Sequence, residues 1–230
     1  MKQTLKKLFE KYQIEYTNEI LEKLELFYQI TITENQKYNL TTITEKQEFA
    51  KKHIVDSLLF LNEFDETKIT ADIGTGAGFP AFPVKILKPE IDLTLIDSVS
   101  KKTNFQNLVI NELKLEKIRA IHTRIEDFCL KNRNSFDIVT ARAVASLPTL
   151  LEYSLPLLKI GGKLLAFKSK DFENEINLSK NALTVLGGKI IKIETKDLED
   201  NLRCLIVVEK IKSTPEKYPR PQNKPRLKPL

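Results

Sequence analysis

The sequence predicts an α/β fold: a mostly parallel seven-stranded sheet, an antiparallel C-terminal hairpin and a helical segment ahead of both. Three observations carry this. From Lys68 onward, short apolar runs alternate with amphipathic segments, the pattern of strands joined by crossover helices. The stretch Ala71-Asp72-Ile73-Gly74-Thr75-Gly76-Ala77-Gly78-Phe79-Pro80 reads as strand, glycine-rich turn and helix start. The last two apolar runs are separated only by Lys196 to Leu202, too short for a crossover, so they pair as a hairpin.

Residues 1–65 read as an N-terminal helical segment, 66–211 as the sheet domain and 212–230 as a basic, proline-rich tail. Thr17 can cap a helix through Lys37, with Ile20, Leu21, Leu24, Phe27 and Tyr28 on one face. Thr44 and Gln47 form a T-x-x-Q capping box for a helix to about Glu63. The polar loop Tyr38 to Thr42 lies between them and is followed by His53, Asp56 and Ser57. It reads either as a satisfied turn or, with Asn39 and His53, as a wall of a substrate pocket. Strands are expected at 69–73, 91–97, 118–122, 136–141, 163–168, 189–195 and 203–210. Helices are expected at 80–88, 100–113, 125–131, 147–158 and 172–186.

Gly74, Gly76 and Gly78 give G-x-G-x-G, not the G-x-G-x-x-G of dinucleotide sites. Glycine takes φ > 0 and leaves no Cβ between a loop and a ligand. Asp72 sits at the strand end, where open α/β sheets bind ligands. Asp97 ends the next strand, where an acid can accept from both ribose hydroxyls of an adenosine. An acid before the first glycine, this loop spacing and Asp97 together point to an S-adenosylmethionine (SAM) site more than to NAD. No Lys-Ser or Lys-Thr follows the loop, which argues against a P-loop. After the third strand, Ile125 can pack on an adenine and Glu126 can accept from its amino group. An exposed acid favoured by the helix dipole is the equal alternative. Arg142 follows the fourth strand among small apolar residues, suited to a carboxylate or phosphate partner. Lys168 ends the fifth strand and is a weaker candidate.

The 41% hydrophobic content supports a buried core and argues against overall disorder. Cys129 and Cys204 are the only cysteines; with two histidines at no ligand spacing, no metal site or disulfide scaffold is expected. Early lysines interrupt any signal peptide and no apolar run is long enough to span a bilayer, so a cytoplasmic protein is expected. The net charge of +6 comes from the end of the chain. Lys210, Lys212, Lys217, Arg220, Lys224, Arg226 and Lys228 face a single acid, Glu216, over residues 210–230. Five of the ten prolines lie there too, which excludes a regular helix and implies an extended tail suited to nucleic-acid phosphate.

A doubly wound sheet ending in a hairpin has the form of a Rossmann-like SAM-dependent methyltransferase. The residues resemble, over nearly the full chain, the RsmG (glucose-inhibited division protein B) family of bacterial small-subunit ribosomal RNA methyltransferases. The resemblance includes Tyr38-Asn39-Leu40-Thr41, His53 with Asp56-Ser57-Leu58, Asp72 through Pro80, and Asp97-Ser98 with Lys101. It continues through Ile125-Glu126, Arg142-Ala143-Val144-Ala145, Pro156 to Lys159 before Gly161-Gly162, and Tyr218-Pro219-Arg220. It departs at Ala81 and Asn223, where the family usually has glycine. The resemblance implies that Gly74, Phe79, Ile125, Glu126 and Arg142 contact SAM, with Asp97 and Ser98 near the ribose. It implies methylation of guanine N7 in 16S ribosomal RNA or a small-subunit precursor. Asn39, His53, Lys101, Lys168, Arg220, Lys224 and Arg226 are the RNA-binding candidates, and a monomer is expected. A NAD-dependent oxidoreductase is disfavoured by the loop spacing and the lack of a second domain. A non-catalytic RNA-binding or cell-division factor is the remaining alternative. Methylation at N7 needs no general base, so no catalytic acid or base is assigned and Arg142 is a positioning candidate.

Overall fold

A computed structural model describes residues 1–199 and 201–230. The chain opens with α1 (Lys2–Lys11) and α2 (Asn18–Tyr38), followed by α3 (Lys46–Phe49), a π-helical stretch (Ala50–Val55) and α4 (Asp56–Leu58). Thr17 caps α2 as the sequence predicts, its hydroxyl accepting from the Ile20 N–H at 3.2 Å. The expected Thr44 capping box does not form. Glu45 caps α3, its carboxylate accepting from the N–H groups of Gln47 and Glu48 at 2.9 and 2.8 Å. A charged acceptor makes the stronger cap at a helix N-terminus, and the Thr44 carbonyl is taken by the Tyr28 hydroxyl at 2.9 Å. The helix expected to run to about Glu63 stops at Leu58. Its middle is π-helical, which re-phases the side chains that follow; His53 lies in that stretch and Asp56 just after it.

The sheet domain alternates as predicted: β1 (Ile69–Ile73), α5 (Ala81–Leu87), β2 (Asp92–Asp97), α6 (Ser100–Glu112), β3 (Ile118–His122), α7 (Ile125–Lys131) and β4 (Phe136–Arg142). It continues with α8 (Leu147–Ser154), β5 (Leu158–Lys168), α9 (Phe172–Leu178), α10 (Lys180–Leu186), β6 (Gly188–Leu198) and β7 (Asn201–Lys210). The strand order is β3-β2-β1-β4-β5-β7-β6. Strands β1 to β5 pair in parallel, and β7 runs antiparallel to both β5 and β6. The hairpin strands reach further into the expected loop 196–202 than the sequence suggested; residue 200 of that loop lies outside the described residues. The single helix expected at 172–186 is two, broken at Ser179, whose hydroxyl turns back to the Glu175 carbonyl at 2.7 Å. A serine that bonds its own preceding turn competes with helix propagation.

Two apolar clusters cover the two faces of the sheet. Leu5, Phe9, Leu24, Phe27, Phe49 and Ile54 of the N-terminal helices share one with Phe82, Leu93, Leu95 and Phe105. Ala71, Ile73, Val139, Leu150, Leu151 and Ile206 belong to the other. Burial on both faces explains why the central strands read as near-continuous apolar runs.

The C-terminal segment corrects the expectation of an extended tail. It folds back over α7 and α8 and ends in a short helix, α11 (Lys224–Leu227), with Pro225 in its first turn. Glu152 on α8 is 0% exposed, and its carboxylate is met by Arg220 Nε at 2.9 Å and Nη2 at 2.7 Å. Arg133 donates to the carbonyls of Tyr218 and Thr214 at 2.5 and 2.7 Å. A buried carboxylate demands a partner, and proline's fixed φ suits the start of a helix. Composition alone shows neither demand.

Candidate active site

The strand order reverses between β1 and β4, and a crevice opens beyond the strand ends there, as open α/β sheets provide. The glycine loop leaves β1 at this point. Gly74 has φ +63, and a Cβ there would stand 2.7 Å from Val144 Cγ2. Gly78, at φ +86, would put a Cβ 2.0 Å from the Phe82 ring. Any side chain at either position collides, so the loop's closeness to its neighbours rests on glycine.

Beside this loop lies a cavity of about 380 Å³. Gly74, Asp97, Ser98, Ile125 and Glu126 all line it, so five of the seven expected cofactor residues meet in one place. Asp97 also holds the walls together. Its Oδ2 accepts from the Gly76 N–H at 2.8 Å and its Oδ1 from the Val99 N–H at 2.9 Å. Glu126, in the first turn of α7, accepts from the Asn223 N–H at 3.1 Å.

Phe79 and Arg142 are not in this cavity. Phe79 is buried in an aromatic cluster, with the His53 ring stacked on it at 4.4 Å and the Arg142 guanidinium 5.1 Å from its centroid. Arg142 instead lines a second cavity of about 850 Å³, together with His53, Asp56, Phe60, Lys168 and Arg203. Ala143, at φ +57, and Val144 line both cavities, so this two-residue wall is where they meet.

Arg142 is a largely buried cation, its side chain 14% exposed. Burial works against its charge, and the Asp56 carboxylate beside it opposes that loss. Arg142 Nη1 donates to Asp56 Oδ2 at 2.7 Å, and Arg203 Nε donates to Asp56 Oδ1. One carboxylate therefore serves two arginines that are far apart in sequence. His53 Nδ1 lies 3.4 Å from Arg142 Nη2, and its Nε2 is 2.7 Å from the Thr41 hydroxyl. Burial, then the Arg142 charge, lowers the His53 pKa to about 3, so the imidazole is neutral. Lys168 Nζ bonds the Ala145 carbonyl at 2.8 Å and Glu175 Oε2 at 2.5 Å, and the same oxygen accepts from the Leu147 N–H. Lys168 thus holds the loop after β4. Cys204 also lines the second cavity; burial pushes its thiol up to about 11, which argues against a thiolate nucleophile.

Asp72, near the end of β1, lines neither cavity. It is 0% exposed, and neither carboxylate oxygen has a hydrogen-bond partner among the described residues. The Thr75 hydroxyl bonds the Asp72 main-chain carbonyl instead, at 2.8 Å. Burial raises the carboxyl well above its ordinary range.

The remaining RNA candidates are dispersed. Asn39 is exposed at the C-cap of α2 with φ +51, the satisfied-turn geometry. Lys101 is exposed on α6, whereas its neighbour Lys102 lines the first cavity. Arg220 is committed to Glu152. Lys224 and Arg226 are exposed in α11, and Arg226 also lines the first cavity. Sequence reasoning missed Arg203, Lys102, Tyr153 and Asn223 as wall residues. Asp56 was visible only as part of a motif, and no local signal marks Arg203. Among the described residues no group of three or more His, Cys, Asp or Glu side chains could hold a metal ion. No helix among them is long and apolar enough to cross a membrane.

Comparison with known proteins agrees with this geometry. A solved structure of M. jannaschii TYW2 in complex with AdoMet superposes with a TM-score of 0.57 at 16% identity, over 74% of this chain and 80% of that one. A SAM-dependent methyltransferase from Aquifex aeolicus gives 0.54 at 17% identity, over 72% and 94%. These likenesses establish the fold. The ribosomal RNA small subunit methyltransferase G of Desulfitobacterium hafniense (strain Y51) is 47% identical over 94% of this chain and 92% of its own. That of Streptococcus sanguinis (strain SK36) is 42% identical over 94% of each. The family described as GidB, rRNA small subunit methyltransferase G, matches residues 20–204, and the chain belongs to that family.

Proposed function

We propose that this protein transfers the methyl group of S-adenosylmethionine to N7 of a guanine in 16S ribosomal RNA, presented as the RNA or as a small-subunit precursor. It would act in the cytoplasm as a monomer. The observation that carries the reading is the pair of cavities meeting at Ala143 and Val144, beyond the ends of β1 and β4. One is lined by the glycine loop and acids suited to a nucleoside, the other by Arg142, Lys168 and Arg203 among Asp56, Asp171 and Glu175, with Phe60 and Phe167 offering apolar surface to a nucleotide base.

The residues present fit SAM. The unpartnered Asp72 carboxylate matches the cofactor's α-ammonium, which would restore its charge and satisfy its oxygens. Asp97 and Ser98 would stand at the ribose, Ile125 against the adenine and Glu126 at its amino group. Gly74 lets the Val144 side chain pack against the loop where the cavity wall forms, and Phe79 anchors the loop in the aromatic cluster. SAM supplies an electrophilic sulfonium methyl. Guanine N7 carries an in-plane lone pair and no proton, so the chain need only exclude water and align the two. Such alignment is worth roughly 7–11 kcal/mol. Arg142, fixed by Asp56, positions rather than transfers protons, and the neutral His53 ring is already bonded to Thr41. His53, Lys168 and Asn39 would border the acceptor side, with Lys101 and Lys224 as the more distant RNA candidates; Arg220 is held by Glu152 and Arg226 by the Val144 carbonyl.

Single-turnover rates with saturating RNA should be nearly flat from about pH 6.5 to 9, the range in which a tuned base would titrate. RNA with 7-deazaguanine at the target should not be methylated. Transfer to the deaza substrate, or a steep rise in rate with pH, would overturn the N7 assignment.

A further inference from the structure

The C-terminal segment is built into the wall of the first cavity, not appended to it. Asn223 and Arg226 line that cavity alongside Gly74, Asp97 and Glu126. The Asn223 N–H holds the Glu126 carboxylate at 3.1 Å. Arg226 Nη2 donates to the Val144 carbonyl at 2.5 Å, on the wall shared with the second cavity. The Thr149 hydroxyl on α8 bonds the Pro225 carbonyl at 2.9 Å. Upstream, Arg220 anchors the segment through a carboxylate that water does not reach. A tail serving only solubility or phosphate needs none of these bonds.

We infer that residues 222–227 form part of the SAM site, with Asn223 and Arg226 as positioning residues that hold the adenine-side carboxylate and the Val144 wall. The inference rests on the reading of this cavity as the SAM site. It differs from the reading of the same cations as RNA contacts. A phosphate-binding tail would change RNA affinity and leave cofactor affinity alone. A wall of the nucleoside cavity would do the reverse when removed.

The test is calorimetric titration with S-adenosylhomocysteine, alongside the thermal midpoint of each ligand-free protein. The variants are the full chain, a chain ending at Pro221, Arg226→Ala, and Lys217→Ala, which removes tail charge away from the cavity. The shortened chain keeps Arg220 and its bonds to Glu152. It should bind at least tenfold more weakly with little change in midpoint, Arg226→Ala severalfold more weakly, and Lys217→Ala like the full chain. Equal dissociation constants for the shortened and full chains would overturn the inference. If the shortened chain does not fold, Arg226→Ala decides, and an unchanged constant there overturns it. A full chain that does not bind at all would overturn the cofactor reading itself, and this inference with it.

Discussion

His53 is a residue whose charge its surroundings decide. The unfolded chain takes up a proton there as pH falls through about 6.5, whereas the native state resists until about 3. Between those values the unfolded state binds more protons, so stability falls as pH falls. The limiting slope is about 1.4 kcal/mol per pH unit, or about 2 kcal/mol lost by pH 5. His53→Gln should remove that part of the loss, read as the difference in urea-unfolding free energy between pH 7 and pH 5. Equal losses in both proteins would show that His53 titrates normally. Asp72 gives a second test in which binding and stability part company. Its buried carboxylate lacks partners in the free protein, so Asp72→Asn relieves a cost there. The ligand-free thermal midpoint should hold or rise while SAM affinity falls tenfold or more, about 1.4 kcal/mol. Unchanged affinity would mean that the acid does not meet the cofactor. Asp72 was legible as a strand-end acid; that its oxygens are left unbonded was not, because that depends on which groups the fold fails to bring near.

At the scale of elements, the regular core was the readable part. Period and apolar runs located β1 to β5 and their helices, because burial on both faces imposes a composition that neighbouring residues share. The misreadings came where two local signals competed. Glu45 outbid Thr44 for the α3 cap, and Ser179 split a helix that amphipathicity alone would continue. The C-terminal segment is the larger lesson. Its prolines and cations read as extended and solvated, yet Arg220 is the partner of the buried Glu152. Arg220→Ala leaves that buried carboxylate with only the main-chain N–H of residue 220, at 2.7 Å, and no cation beside it, and should cost about 3–5 kcal/mol in chemical denaturation. Replacing Glu152 and Arg220 together by leucine should recover much of the loss. A loss below about 1 kcal/mol for the single variant would show that the pair is solvated.

At the scale of the whole molecule, the net charge of +6 divides into cations bonded inside the fold and cations left on its surface. Lys217, Lys224 and Lys228 are exposed. Changing all three to Gln should flatten log K against log salt for RNA by about 0.7–0.9 per lost phosphate contact. An unchanged slope would place the RNA on another face. The sequence by itself determined the α/β alternation, the glycine turn, the acids at the ends of β1, β2 and β3, and the family. The first three are local: they depend on side-chain period, on the φ > 0 that only glycine takes easily, and on residues within one strand and turn, whereas the family rests on motifs spread from Tyr38 to Arg220. The tertiary structure decided what crosses the chain. It put Asp56 between Arg142 and Arg203, separated two cavities by Ala143 and Val144, and brought Asn223 to Glu126. Those pairings are set by how layers pack and which buried charges must be neutralised. That demand acts through space, and spacing along the chain carries no trace of it.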